Sequence, residues 1–134
     1  MINTDSNGNL VFEINDGRVK EHFTFYKDNY DSHCLKHNIS DKESKGYIDQ
    51  TFEDPDCITT GCKNGQKNYY KVVNCQKSKK SIAVRVYKAI CFKDKKKGGK
   101  AFYAIATVID FWSSNYRVIN GLETEIWKKT ESLL

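Results

Sequence analysis

His33-Cys34-Leu35-Lys36-His37 places three metal-ligating side chains within five residues. On a helix His33 and His37 would share one face at i, i+4, a spacing that suits a zinc pair. A third ligand would have to come from elsewhere, since no His-Glu-x-x-His glutamate accompanies them. Cys57 and Cys62 are spaced more widely than a zinc clip and have no matching second pair. The expectation is therefore no metal and no other cofactor. Glu53, Asp54 and Asp56 cluster, but Glu-Asp-Pro-Asp lacks the spacing and glycine of a calcium loop, so these read as solvated turn acids. His22, His33 and His37 are the only side chains that titrate near neutrality without perturbation, and no nucleophile elbow, phosphate loop or paired-carboxylate pattern appears. No catalytic residue is assigned, and the chain reads as non-enzymatic.

Lysine supplies the other chemistry. Lys93, Lys95, Lys96, Lys97 and Lys100 occupy one connection, and Lys77, Lys79 and Lys80 the connection before it. Residues 1–67 carry 8 Lys/Arg against 12 Asp/Glu, whereas residues 68–134 carry 14 against 5, so the net charge of +5 resides in the second half. That bounds where an anionic partner could dock. Successive loops of an antiparallel sheet lie at opposite ends, and at roughly 3.3 Å per residue the strand between these two separates them by about 35 Å. The clusters should not merge. The candidate binding residues are Lys93, Lys95, Lys96, Lys97 and Lys100, and a grip on a phosphate backbone would rest on that hairpin alone.

The elements that must position these residues are mainly strands. Leu10, Phe12 and Ile14 alternate with polar neighbours, Asn15-Asp16-Gly17 follows, and Val19, Phe23 and Phe25 continue the pattern, which predicts a hairpin. Residues 27–68 keep neither period for long; a short helix over 32–37 and a short strand over 47–52 are predicted within loop that ends at the Asn64-Gly65 turn. Strands are predicted over 69–75, 81–92 and 101–112, the last apolar on both faces and hence central. Asn120-Gly121 predicts a tight turn joining 116–119 to a closing strand over 122–127. Asp110, in that otherwise apolar strand, would need a partner such as Arg85 or Arg117. The fold class is all-β, an antiparallel β-sandwich or a jelly-roll/cupin-like barrel with little helix, in one domain spanning 1–134. The longest uncharged apolar run, 101–109, is far short of the roughly 20 residues that span a membrane.

The cysteines and tyrosines follow from this frame. Cys75 and Cys91 sit on neighbouring strands but far apart along them, beyond the reach of a disulfide. Cys57 with Cys62, closing a short loop, is the candidate pair, and Cys91 reads as a buried thiol. Tyr69, Tyr70, Tyr87 and Tyr103 read as core rather than as a stacking platform, with Tyr69 and Tyr70 on opposite faces.

In size, in Lys/Asn/Tyr-rich composition, in its few unpatterned cysteines, in the polar opening MINTDSNGN and in β-runs such as SIAVRVYKAICF, the chain resembles the small secreted effectors of plant-pathogenic fungi, rust avirulence proteins in particular. The resemblance covers general character and carries no residue across. It implies secretion, delivery into host cells, a β-sandwich scaffold and recognition by a plant immune receptor. The expected function is an effector-like binding protein that engages a host macromolecule through the hairpin 93–100 and the segment 27–68. Two alternatives are a nucleic-acid-binding or nuclease-like basic domain, not favoured because the lysine clusters are separate, and a carbohydrate-binding or cupin-like module. The last requires a concave sheet face lined by exposed aromatics or by a histidine–acid metal cluster.

Overall fold

The computed structural model describes residues 2–16, 19–61, 63–77, 82–97, 101–112 and 123–128. The alternation over the first hairpin folds as read, with β2 (Leu10–Asp16) antiparallel to β3 (Val19–Phe25), Phe12 opposite Phe23 and Leu10 opposite Phe25. β1 (Asn3–Thr4) adds to the outer edge of β2. Then come α1 (Lys27–His37), α2 (Asp41–Glu53), β4 (Cys57–Thr60), β5 (Gln66–Lys77), β6 (Ile82–Lys93), β7 (Phe102–Trp112) and β8 (Thr124–Lys128). The eight described strands form one sheet in the order β1-β2-β3-β7-β6-β5-β4-β8. Neither described helix is long and apolar enough to cross a membrane.

The fold is β-rich, as expected, but two features differ from an antiparallel sandwich or barrel with little helix. β3 and β7 pair in parallel, with His22 opposite Phe102 and Thr24 opposite Ala104, so the sheet is mixed. The segment expected to be mostly loop holds two helices, and the strand expected over 47–52 is the last half of α2. The reason is compositional. α1 buries only Tyr30, and the buried stripe of α2 is Ser44, Ile48, Thr51 and Phe52, half of it polar by type. A hydrophobic pattern cannot register such a stripe. Local chemistry does mark the boundary: Ser40-Asp41-Lys42-Glu43 has the capping-box spacing, and Ser40 Oγ accepts the Glu43 N–H at 3.1 Å. Asn38 ends α1 in the left-handed conformation, at φ 49°.

The sheet curls around α2. β3 and β5 lie three places apart, about 14 Å in a flat sheet, yet the rings of Phe23 and Tyr69 meet at 5.5 Å. Phe52 of α2 fills the hollow of the curl, 4.8 Å from the rings of both Phe12 and Phe23 and 4.7 Å from Tyr69. Leu10, Phe25, Ile48, Ala89, Cys91, Ile105 and Val108 complete this core. A register shift opposite Ile90/Cys91 brings Val108 to the face of Tyr103 and Ile105, where strict alternation would place it on the other. Cys57, Tyr70 and Val86 pack on the reverse face with Val72 and Ile109, so the middle of the sheet is covered on both sides. β8 is the closing strand and pairs with β4. Residues 116–121, with the predicted turn, lie outside the described residues.

Candidate functional site

The predicted binding lysines emerge from the end of β6 beside the β4–β5 turn. Gly65, at φ +78°, turns the chain there, and its carbonyl accepts the Lys93 N–H at 3.0 Å. A side chain at 65 would press on Lys93 Cγ at 3.1 Å, so glycine fixes both the turn and the lysine. Lys93, Lys63 and Lys67 line a hollow of about 510 Å³ at this end of the sheet. Lys95–Lys97 form a single 3-10 turn rather than a loose tip. Asp94, only 5% exposed, organises it: Oδ1 accepts the Lys96 N–H at 3.0 Å, and Oδ2 accepts the Tyr26 hydroxyl at 2.5 Å. Burial and the Asp94 carboxylate push the Tyr26 phenol up to about 12, so it stays a donor throughout the physiological range. Lys96 Nζ lies 5.2 Å above the Tyr26 ring. Lys95, Lys96 and Lys97 are exposed, and none forms an ion pair with a described residue. Lys100 lies outside the described residues. Lys77 pairs with Ile82 at the far end of β6, so the separation expected of the two clusters holds for the lysine that is described.

Tyr26→Phe removes the donor and leaves the buried Asp94 carboxylate one bond short. A hydrogen bond to a charged group is worth about 1.5–3 kcal/mol, and a loss of that size in urea denaturation is the expected result.

Two buried ion pairs lie on opposite faces of the sheet. On the concave face Lys67 Nζ reaches both Glu21 oxygens, at 2.7 and 2.8 Å, with the rings of Tyr69 and Tyr103 at 5.2 and 5.6 Å. Cys91 lies beside this pair, and burial pushes its thiol well above the usual range while Lys67 opposes the shift. The expected buried thiol is thus in place and inert. On the reverse face Glu123, 4% exposed, is enclosed by donors. Its Oε1 accepts from Thr59 Oγ1 at 2.5 Å, Tyr70 OH at 2.6 Å and Asn68 Nδ2 at 2.8 Å, and its Oε2 from Lys88 Nζ at 2.7 Å. This network fastens the residue preceding β8 to β4, β5 and β6. A carboxylate so engaged is a structural anchor. In the sequence Glu123 and Glu125 only alternate with Leu122, Thr124 and Ile126, as a closing strand would, and nothing local signals this role.

Asp56 is not the solvated acid expected: it is buried, accepts the Val72 N–H at 2.7 Å and stands 4.0 Å from Lys71. Asp54 pairs with Lys71 at 2.9 Å. The side chains of Asp110 and Arg85, and all of Arg117, lie outside the described residues. Cys57 is buried in β4 with its thiol 3.8 Å from Glu125 Oε2, and its candidate disulfide partner Cys62 lies outside the described residues.

His33 and His37 do share one face of α1, with rings 4.8 Å apart. Among the described residues no group of three or more His, Cys, Asp or Glu is placed to hold a metal ion. The two histidines instead border a hollow of about 300 Å³ with Glu43, Ser44, Tyr47, Ile48, Tyr87 and Val108. His33 Nδ1 and Ser44 Oγ are buried without a hydrogen-bond partner and present no accessible surface. Ser44 lies close enough to influence the Tyr30 phenol, yet falls short of hydrogen-bond geometry. Each unpaired buried polar group costs about 1–3 kcal/mol. Burial first, and then the neighbouring His37, hold His33 below the usual histidine range. No protein-family model, curated protein or solved structure matches this chain.

Proposed function

We propose that this chain is a non-enzymatic binding protein of the secreted effector kind, which engages an acidic surface of a host protein through the lysine-bearing end of its sheet. One observation carries the reading. The backbone of Lys95–Lys97 is pinned by Asp94 and Tyr26, while the three ammonium groups remain exposed and outside any ion pair with a described residue. A loop that served solubility alone would need no such anchoring. Positive charge held in one geometry lowers the ordering cost of association and speeds encounter with an anionic partner. Secretion, delivery into host cells and recognition by an immune receptor belong to the same reading, and their support is the resemblance to rust effectors. A β-sandwich closure is not required by it, since any rigid sheet can present the turn.

Two observations weigh against the alternatives. Tyr69, Tyr70 and Tyr103 are buried, which removes the platform a single-stranded nucleic acid would stack on. The concave sheet face is filled by Phe12, Phe23, Phe52 and Tyr69, which removes the one a sugar would need.

The test compares the wild-type protein with the Lys95→Ala/Lys96→Ala/Lys97→Ala variant. Association with host proteins captured by cross-linking is expected to slow about tenfold or more in the variant, with the fold intact. Oligonucleotide binding is expected to be weak. Tight binding that falls about 40-fold between 50 and 200 mM salt, the response for three phosphate contacts, would overturn the reading in favour of nucleic acid.

A further inference from the structure

Asn38-Ile39-Ser40 is the chain's single Asn-x-Ser/Thr triplet, and it forms the turn between α1 and α2. We infer that the side-chain amide of Asn38 is the acceptor of one N-linked oligosaccharide. The inference rests on the secreted reading above, since the transfer takes place in the secretory pathway.

The fold sets the triplet in the open. Asn38 and Ser40 are exposed, with Ile39 half-buried between them. Both polar residues also cap helices, yet neither cap uses the atoms that the transfer needs. Asn38 ends α1 through its backbone, whose N–H reaches the Cys34 and Leu35 carbonyls, in a left-handed conformation that asparagine tolerates. Among the described residues no partner engages its side-chain amide. Ser40 opens α2 with a lone pair of Oγ, which accepts the Glu43 N–H, so its own hydroxyl proton stays available.

The donor is a polyprenyl-diphosphate-linked oligosaccharide. Asn38 Nδ2 forms a bond to the anomeric carbon, the bond from that carbon to the phosphate oxygen breaks, and the lipid diphosphate leaves with the electron pair. One amide proton passes to a base of the transferase, which recognises the acceptor by the hydroxyl two residues along. The position suits a bulky, solubilising group. Leu35, 85% exposed and the most exposed large apolar side chain among the described residues, lies one helical turn before Asn38, within reach of a glycan there. Tyr26, which pins the lysine turn, is the N-cap of α1, so 11 residues of helix, about 16 Å, stand between the glycan and the proposed binding face.

The experiment expresses the full chain behind an added secretory leader in eukaryotic cells, so that entry into the pathway is enforced, and weighs both retained and exported protein by intact mass. Most of the wild type is expected to carry one glycan, which peptide N-glycosidase removes while converting Asn38 to aspartate in the tryptic peptide 37–42. Ser40→Asp keeps an N-cap and loses the hydroxyl, and Asn38→Gly keeps the left-handed C-cap and loses the amide. Both are expected to fold and to lose the glycan entirely. Ser40→Thr, which keeps cap and hydroxyl, is expected to retain it. Wild type that lacks the glycan in both fractions would overturn the site, as would a glycan that persists in Asn38→Gly. The wild-type result stands on its own if a variant fails to fold. Because the leader is supplied, a missing glycan counts against Asn38 and not against secretion, and it leaves the test of Lys95–Lys97 untouched.

Discussion

Lys88→Met is expected to lower the free energy of unfolding by about 3–5 kcal/mol, because it strands the Glu123 carboxylate 4% exposed without its counter-charge. The three neutral donors from Thr59, Asn68 and Tyr70 remain, but they cannot replace an ammonium group at 2.7 Å. Glu123→Gln, which strands Lys88, is expected to cost a comparable amount. The double variant Lys88→Met/Glu123→Gln removes both charges and is expected to recover about 2 kcal/mol or more, since replacing a whole buried pair is far milder than breaking it. Lys20→Met supplies the contrast: Lys20 and its partner Glu13 are both about half exposed, and the expected loss of that ion pair is about 1 kcal/mol or less. Urea denaturation of the four variants gives the ranking. A cost below about 1 kcal/mol for Lys88→Met would mean that the network does not fasten the end of the chain to the sheet.

Phe23→Ala is expected to cost about 3–5 kcal/mol, the range for removing a large aromatic from a core that collapses only in part. Its ring touches four others, Phe12 at 5.3 Å, Phe52 at 4.8 Å, Tyr69 at 5.5 Å and Tyr103 at 5.4 Å. These come from three other strands and α2, so the cavity would open where the curled sheet closes on the helix. Phe23→Leu keeps most of the apolar volume and is expected to cost about 1–2 kcal/mol. The comparison residue is Leu35, 85% exposed on α1, whose replacement by alanine is expected to change stability by less than about 0.5 kcal/mol. Equal costs for Phe23→Ala and Leu35→Ala would refute the packing that defines the curl.

The legible parts of this fold were those that local chemistry dictates. Alternation and the Asn15-Asp16-Gly17 signal placed the first hairpin, and the long apolar runs placed β6 and β7. Tyr69 and Tyr70 were expected on opposite faces and lie there, one in each core. The second half of α1 was legible as a short helix over 32–37, but α2 was hidden because Ser44 and Thr51 carry half of its buried stripe. Strand order was hidden for a different reason. Alternation says which face a residue takes and nothing about which strand lies beside it, so the parallel β3–β7 pair could not be foreseen. In the candidate site, composition alone picked out Lys93 and Lys95–Lys97. The pinning of their turn depends on Tyr26, 68 residues away from Asp94, and no local pattern encodes that contact. The buried Glu123 was masked by an alternation that fits a solvated edge equally well.

The parallel register has a consequence for synthesis. His22 and Phe102 are about 80 residues apart, and chains grow at about 5–20 residues per second, so β3 leaves the ribosome roughly 4–16 s before the strand that will flank it. Over that interval its hydrogen-bonding edge has no native neighbour, and such an edge recruits strands from other chains. α1 and α2 are made next, and docking Phe52 onto Phe12 and Phe23 is the first long-lived contact open to the nascent hairpin. The polar helices that conceal this fold from a reading of its apolar pattern thus stand in the order of translation where a guard for an unfinished sheet is needed.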